Sequence, residues 1–246
     1  MRFNHIFKLT NENETHREYK CDNVNINIDF ISGSALRVAV FNDNAEMLPT
    51  FTVNPNNNLS SLGRSRLSVD GFDCVAPVVE KFENKEKFVL DCGVTVDLDL
   101  NNFILSYSKE SKLLFADRAP LAYNFEGEFG NGSYHYITRE DDEHIFGLGD
   151  KSGLINKAGQ VYRVETADSM GFDAEKTDPL YKHVPFYICE NSVGAYGIYY
   201  DTTDTSFVDL GREINNYYCH FKYFKTDDDC LVYYVFFGSK LSVLQQ

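Results

Sequence analysis

The chain has 246 residues, with 23 lysines and arginines against 37 aspartates and glutamates, so its formal net charge is −14. This balance argues against binding to nucleic acid or to an anionic membrane surface, because both require concentrated Lys and Arg. Phe and Tyr number 20 and 16 while Trp is absent, and these two aromatic residues favour β-strands.

Alternating apolar and polar residues predict strands along most of the chain. In residues 24–30 the apolar positions alternate with Asn25, Asn27 and Asp29, which we expect to face solvent. A Ser-Gly-Ser turn at 32–34 joins this strand to the next one, at 36–40. Further candidate strands lie at residues 78–82, 88–92, 94–100, 103–107, 183–189, 195–201, 217–223 and 231–237. The acidic residues 227–229 predict a solvated turn before the last of these strands. Their regular spacing predicts an all-β sandwich or barrel.

Helix signals are sparse, and the clearest one comes last. Ser239 is placed to cap a short helix in which Leu241, Val243 and Leu244 lie toward one side. A helix of about two turns is marginal in water without neighbours to pack on. We therefore interpret residues 1–237 as a β-domain, residues 238–246 as the start of a linker, and the chain as part of a longer polypeptide.

Residues 146–181 alternate poorly and are rich in Gly, Asp, Lys and Thr. Long irregular segments inside compact β-domains are usually functional loops, so a site is expected here. The pair Gly147 and Gly149 predicts a tight turn rather than a dinucleotide site, because no helix follows it. The acidic run at 139–144, which comes just before this segment, predicts a solvated loop.

Patterns that would identify a catalytic or metal site are missing from the sequence. None of the six histidines has metal-ligand spacing with a Cys or a carboxylate, and no G-x-S-x-G occurs. We therefore expect no metal and no cofactor. Many carboxylates could form a glycosidase-type pair, and spacing alone selects none of them. Six scattered cysteines without a C-x-x-C pair, and an N-terminus without a secretory pattern, predict a cytoplasmic protein.

Five sequence blocks carry a family resemblance. Residues 146–153, Phe-Gly-Leu-Gly-Asp-Lys-Ser-Gly, resemble the "YGLGE-K-G" signature in the N-terminal domain of glycoside hydrolase family 31, the α-glucosidase family. The other blocks follow in the family's order at residues 156–162, 166–168, 178–187 and 195–211. Their sequences begin Asn-Lys-Ala-Gly, Thr-Ala-Asp, Asp-Pro-Leu-Tyr and Ala-Tyr-Gly-Ile. Residues 1–145 match the family more weakly.

This resemblance implies a large two-sheet antiparallel β-sandwich of the galactose-mutarotase-like type, with few or no helices. In family 31 the sandwich precedes a (β/α)8 barrel that carries both catalytic carboxylates and cleaves α-linked glucosides with retention. The expected function is therefore the N-terminal domain of a retaining α-glucosidase that removes terminal α-linked glucose from oligosaccharides. No catalytic residue is expected in this chain, and the missing barrel of the same polypeptide is an expected partner.

The resemblance also implies a substrate contact. In the family, a long loop of the sandwich reaches over the barrel and supplies an Asp that hydrogen-bonds sugar hydroxyls. Asp168 occupies that position, and Ser169 and Met170 would line the same rim. The alternative for Asp168 is a turn residue that bonds its own backbone. Glu165 stands where the family often has Trp, which implies that this edge lacks the family's aromatic platform.

Two other functions remain open on the sequence alone. A stand-alone carbohydrate-binding module would need an exposed aromatic platform of its own. A mutarotase-like sugar epimerase would share the sandwich and would need a His and a carboxylate in a central cleft. The five ordered blocks favour the glycosidase domain over both alternatives.

Overall fold

The computed structural model of the chain describes residues 5–55, 63–124, 132–212, 214–215 and 219–244. Within these residues, strands form three antiparallel sheets and one short helix comes last. The strands are β1 (Lys8–Glu12), β2 (His16–Cys21), β3 (Val24–Ser32), β4 (Ala35–Asn42), β5 (Val78–Lys81), β6 (Lys85–Val89), β7 (Val94–Asp99), β8 (Ile104–Lys109), β9 (Lys112–Ala116), β10 (Tyr123–Asn124), β11 (Ser133–Thr138), β12 (His144–Gly147), β13 (Val161–Val164), β14 (Phe186–Glu190), β15 (Ala195–Tyr200), β16 (Ser206–Asp209), β17 (Ile214–Asn215), β18 (Cys219–Thr226) and β19 (Leu231–Gly238), and the helix is α1 (Lys240–Leu244). The predicted all-β antiparallel fold is confirmed.

The strands build two layers. One layer is an eight-stranded sheet in the order β1-β2-β3-β4-β19-β15-β14-β12. The other layer is divided between a five-stranded meander, β5 to β9, and a six-stranded sheet in the order β10-β11-β18-β16-β13, with β17 beside β18. A bridge between Asp117 and Ile137 joins these two smaller sheets. The predicted sandwich is thus present, with its second layer split.

One apolar core fills the space between the layers. It combines residues from the inner face of the large sheet, such as Phe30 and Val38, with residues of the meander and the six-stranded sheet, such as Phe88 and Phe224. Aromatic rings supply much of the contact area, because Tyr and Phe alternate inward along the strands. Tyr200 and Phe224, for example, stack across the layers with their ring centroids 3.6 Å apart.

The outer face of β3 differs from its prediction. Asn27 and Asp29, expected to face solvent, are both buried. The Arg37 guanidinium donates to Asp29 Oδ2 over 2.7 Å and also to the backbone carbonyls of residues 66–68. The irregular segment from residue 64 to 74 therefore covers this face, and the buried Asp29 charge is neutralised by a buried arginine.

The turn between β18 and β19 also differs from its prediction. Residues 227–229 resemble a solvated acidic turn, yet Asp228 is only 3% exposed. Its Oδ2 lies 2.6 Å from Arg66 Nη1 and accepts a 2.9 Å bond from the Thr202 hydroxyl. The reason is topological, because this turn carries the chain from the second layer to the large sheet, under the covering segment that contains Arg66.

The acidic run at 139–144 is the third place where a predicted solvated segment is partly buried. Glu143 receives bonds of 2.6 and 2.7 Å from the Lys222 ammonium and one of 2.7 Å from the Tyr196 hydroxyl. Lys222 lies on β18 and Tyr196 on β15, so this cluster connects the two layers. The ion pair is fully enclosed, with side-chain exposures of 1% and 0%.

The predicted C-terminal helix is confirmed as α1. Ser239 caps it, since its hydroxyl accepts a 3.2 Å bond from the Ser242 amide. Val243 is buried against Gly197 of the large sheet, whereas Leu244 is exposed. No helix in the described part of the chain is long and apolar enough to cross a membrane.

Candidate functional site

The candidate site lies in the loops that connect β12, β13 and β14, here called the loop cluster (residues 148–160 and 165–185). It begins at Gly147, Leu148 and Gly149, which have φ angles of 124°, 64° and 67°. A Cβ on Gly147 would lie 2.6 Å from the Phe186 carbonyl oxygen on the adjacent strand. The predicted tight turn is confirmed, and glycine is needed because the backbones approach so closely.

An ion pair connects two of the sequence blocks and also bonds the backbone of β13. The Lys151 ammonium lies 2.8 Å from Asp178 Oδ1 and also bonds the Arg163 carbonyl. The other oxygen of Asp178 accepts a 2.5 Å bond from the Arg163 amide at the middle of β13. The Lys151 side chain is fully buried, whereas that of Asp178 is 19% exposed. Lys151 and Asp178 therefore fix the loop cluster, and their charged groups are engaged in these contacts within the protein.

The block at 156–162 is also structural. The side-chain oxygen Oδ1 of Asn156 accepts bonds from the backbone amides of Ile145 and Ala158. The Lys157 ammonium donates to the Ser152 carbonyl over 3.0 Å and lies 5.4 Å from the centre of the Tyr162 ring. Burial lowers the pKa of Lys157, and the nearby Lys151 charge adds to this effect.

Asp168 lies on a segment held by hydrogen bonds on both sides of it. The Ala167 amide donates to the Leu180 carbonyl over 3.1 Å, and the Ser169 hydroxyl donates to the Pro179 carbonyl over 2.8 Å. The Tyr181 hydroxyl in turn donates to the Ser169 carbonyl over 2.9 Å. The backbone that carries Asp168 is therefore fixed to residues 179–181.

The Asp168 carboxylate itself is exposed, and no described residue donates a hydrogen bond to it. The alternative interpretation, a turn residue that bonds its own backbone, is thus not what the structure has. Of the other two predicted rim residues, half-buried Ser169 uses its hydroxyl to hold the loop, while the Met170 side chain is 90% exposed. The substrate contacts of all three residues stay predictions.

Several apolar side chains at the tips of the loop cluster face solvent. Leu154 and Ile155 are 79% and 81% exposed, and Phe172 is half exposed. A bond of 2.9 Å from the Gly153 amide to the Ala174 carbonyl holds the two loops side by side, so these residues belong to one surface. Exposed apolar surface of this kind is typical of sites where another domain or protein binds.

Glu165 is occupied by structural contacts. Its Oε2 lies 2.8 Å from Arg163 Nε and accepts a 3.4 Å bond from the Thr205 hydroxyl. Where the family often has Trp, this chain therefore has a half-buried ion pair at Glu165 in place of an aromatic side chain.

A cleft of about 720 Å³ adjoins the loop cluster on the outer face of the large sheet. Thr166, two residues before Asp168, lies in its wall, and α1 closes one side with Val243 and Leu244. Its aromatic lining residues are Phe72, Phe186, Tyr199, Tyr234 and Phe236. The sequence did not predict this cleft, because it is formed by segments that are far apart in the chain.

A buried polar network lies between the layers and involves a histidine. His135 Nε2 lies 2.9 Å from Asp117 Oδ1, and its Nδ1 lies 3.0 Å from the Tyr200 hydroxyl oxygen. The Tyr123 hydroxyl donates to the other oxygen of Asp117 over 3.0 Å. His135 is only 1% exposed. Both ring nitrogens thus contact protein atoms, so this network has a structural role.

Comparisons with known proteins agree with this description. A model of the glycosyl hydrolase 31 N-terminal galactose mutarotase-like domain matches residues 25–209. Alpha-glucosidase 2 of Bacillus thermoamyloliquefaciens is 27% identical over 142 residues, which are 57% of this chain and 17% of that protein.

Solved structures show the same fold. A family 31 dextranase of Flavobacterium johnsoniae complexed with isomaltotriose aligns with a TM-score of 0.75 and 21% identity, covering 98% of this chain and 27% of that one. The alpha subunit of a glucosidase II aligns with a TM-score of 0.71 and 12% identity, covering 97% and 33%. The chain thus spans only a minor part of the length of each of these relatives.

Proposed function

The chain belongs to the family of glycosyl hydrolase 31 N-terminal galactose mutarotase-like domains, and we propose that it serves a retaining α-glucosidase. Its similarity to alpha-glucosidase 2 supports this assignment. In the proposal the parent enzyme removes terminal α-linked glucose from oligosaccharides with carboxylates of a barrel that is not in this chain. The sandwich supplies a loop at the rim of the active site.

The observation that carries this proposal is the state of Asp168. Its carboxylate is exposed and accepts no bond from a described residue, while its backbone is fixed by the bonds of Ala167 and Ser169. An ionised carboxylate held in this way can accept charge-assisted bonds from two neighbouring sugar hydroxyls. The exposed Met170, Leu154 and Ile155 would contact the barrel or the substrate.

We expect the isolated chain to fold and to show no hydrolysis of p-nitrophenyl α-glucoside. The physical reason is that retaining cleavage needs two carboxyl groups about 5–5.5 Å apart across the scissile bond, and the proposal places both on the barrel. The measurement is release of p-nitrophenol by the purified chain, with the full-length enzyme as the positive control. Turnover by the isolated chain would refute the assignment of catalysis to the barrel.

In the full-length enzyme, Asp168→Ala should reduce kcat/KM for maltose-like substrates by a factor that corresponds to about 1.5–3 kcal/mol. This is the usual contribution of a hydrogen bond to a charged group. Glu175→Ala is the matched control, because Glu175 is an exposed acid of the same loop cluster, and it should leave kcat/KM unchanged. Wild-type kcat/KM in the Asp168 variant would remove Asp168 from the substrate site.

The cleft on the outer face supports a second candidate, a carbohydrate-binding module. Its five aromatic lining residues could stack on sugar rings, as such modules require. Calorimetric titration of the isolated chain with maltooligosaccharides separates the two candidates. The glycosidase proposal expects negligible affinity. Binding that is lost in Phe236→Ala, a change in the cleft, would instead favour the module.

The epimerase alternative has less support. It requires a His and a carboxylate open to a sugar, whereas His135 and Asp117 are enclosed and bonded to protein atoms. A polarimetric assay on glucose or galactose tests it directly.

For location we propose the cytoplasm, which is a reducing compartment. The free thiols of all five cysteines whose side chains the structure describes support this proposal.

A further inference from the structure

Three side chains of different chemistry meet near the N-terminal edge of the large sheet. His5 Nδ1 lies 3.8 Å from Cys21 Sγ, and Cys21 Sγ lies 4.0 Å from Asp22 Oδ2. One ligand atom from each residue lies within 4.8 Å of the other two. His5 and Cys21 are partly buried and Asp22 is exposed, so the group is open to solvent on one side.

The fold places these residues from two separate parts of the chain. The His5 amide donates to Asn102 Oδ1 over 3.0 Å, and its carbonyl accepts a 2.7 Å bond from the Asn102 amide. This fixes residue 5 against the turn between β7 and β8. Cys21 is the last residue of β2, and Asp22 follows in the turn to β3 with a φ angle of 51°. The backbone on both sides of the group is therefore held by independent contacts.

The combination of ligand atoms selects the kind of ion. Thiolate, imidazole and carboxylate together suit Zn²⁺, which prefers tetrahedral sites with nitrogen and sulfur ligands. Bond lengths of about 2.0–2.3 Å to zinc require ligand atoms about 3.4–3.6 Å apart. The observed 3.8 and 4.0 Å exceed this by a few tenths of an ångström. Rotation of the exposed Asp22 side chain can shorten its distances to the other two ligand atoms, and a shift of a few tenths of an ångström brings Cys21 Sγ to the distance from His5 Nδ1 that zinc requires.

We propose that His5, Cys21 and Asp22 bind one divalent cation of the zinc type, with water as the fourth ligand. On binding, the Cys21 thiol releases its proton to solvent and coordinates as the thiolate. The ion would fasten the N-terminal residues to the turn between β2 and β3. This proposal departs from the sequence-based expectation of no metal site, and it is independent of the proposed glycosidase function.

The test uses the purified, reduced chain without an affinity tag, titrated with Co²⁺ as a spectroscopic probe and then with Zn²⁺. The wild-type chain should bind one Co²⁺ with a thiolate-to-cobalt charge-transfer band, and Zn²⁺ should displace it. Loss of a residue that merely orients a ligand costs about 10–100-fold in affinity, so loss of a ligand should cost at least about tenfold. Cys21→Ser should abolish the band and weaken Zn²⁺ binding by that factor.

Asp22→Asn should keep the charge-transfer band but weaken binding by about tenfold, since Asn tolerates positive φ and retains the backbone conformation. Cys92→Ser is the matched control, because Cys92 is another half-buried free cysteine, and it should bind as the wild type does. Zn²⁺ should raise the Tm of the wild type and of Cys92→Ser but not that of Cys21→Ser. The site is ruled out if the wild type gives no thiolate band, or if Cys21→Ser binds both ions normally.

Discussion

Lys222→Ala should lower the free energy of unfolding by about 3–5 kcal/mol. Among the described residues, the substitution leaves the enclosed Glu143 carboxylate with only the Tyr196 hydroxyl as a donor. A buried charge without its partner keeps its desolvation cost, because side chains that are 1% and 0% exposed are shielded from bulk solvent. Chemical denaturation of the isolated chain, followed by circular dichroism, measures the change.

Two control variants make this prediction specific. Lys85→Ala removes an ion pair with Asp99 that is largely exposed, so it should cost less than about 1 kcal/mol. The double variant Lys222→Met with Glu143→Leu removes both buried charges and should recover most of the lost stability. If Lys222→Ala costs no more than Lys85→Ala, the enclosed ion pair does not contribute as described.

Gly147→Ala is expected to cost about 2–4 kcal/mol. The φ angle of 124° is strained for any residue with a Cβ, which alone costs about 1–3 kcal/mol. The added methyl would also lie 2.6 Å from the Phe186 carbonyl oxygen and 2.9 Å from the Tyr187 Cα, both backbone atoms of β14. Because β12 and β14 are paired, neither can shift without breaking ladder hydrogen bonds.

Gly159→Ala is the matched control for this clash. Gly159 has a φ angle of 76°, but a Cβ there would meet nothing within 4 Å. It should therefore show only the cost of the left-handed conformation, about 1–2 kcal/mol. Thermal and urea unfolding of both variants separate the two contributions. Equal losses in the two variants would mean that the contact with β14 relaxes without cost.

The alternation of apolar and polar residues predicted most strands and hairpins correctly, because every second side chain of a strand lies on the same face of its sheet. It could not predict which sheet a strand joins. β18 and β19 are consecutive in the chain, yet β18 pairs in the six-stranded sheet and β19 in the large one. Which layer a strand joins depends on how distant segments of the chain pack, and no local sequence pattern indicates it.

The buried acids were predicted to be solvated for a related reason. Asp228 and Glu143 lie in locally polar sequences and Asp29 lies on the predicted polar face of β3, and an acid in either context is usually exposed. Each is paired instead with a basic side chain of another element, and for Asp228 and Glu143 that partner is far away in the chain. Pairing across such separations becomes visible only in the folded chain.

The position of the candidate functional site, the loop cluster, was predicted in part. Family-like blocks located the loop cluster, and its irregular character is confirmed apart from the short strand β13. The ion pair of Lys151 with Asp178 lies within two of those blocks, so their charges could have suggested it. The group of His5, Cys21 and Asp22 had no such signal, because His5 is brought to Cys21 by contacts with the turn at Asn102. The substrate role of Asp168 stays a prediction.

The position of β19 has a consequence for biosynthesis. It pairs with β4 on one side and β15 on the other, so without it the large sheet is two separate halves. Translation at about 5–20 residues per second needs about 10–40 s between the two pairing partners β4 and β19. The β4 edge stays unpaired for that whole interval, and the β15 edge stays unpaired from its own synthesis until β19 follows; unpaired strand edges are templates for aggregation.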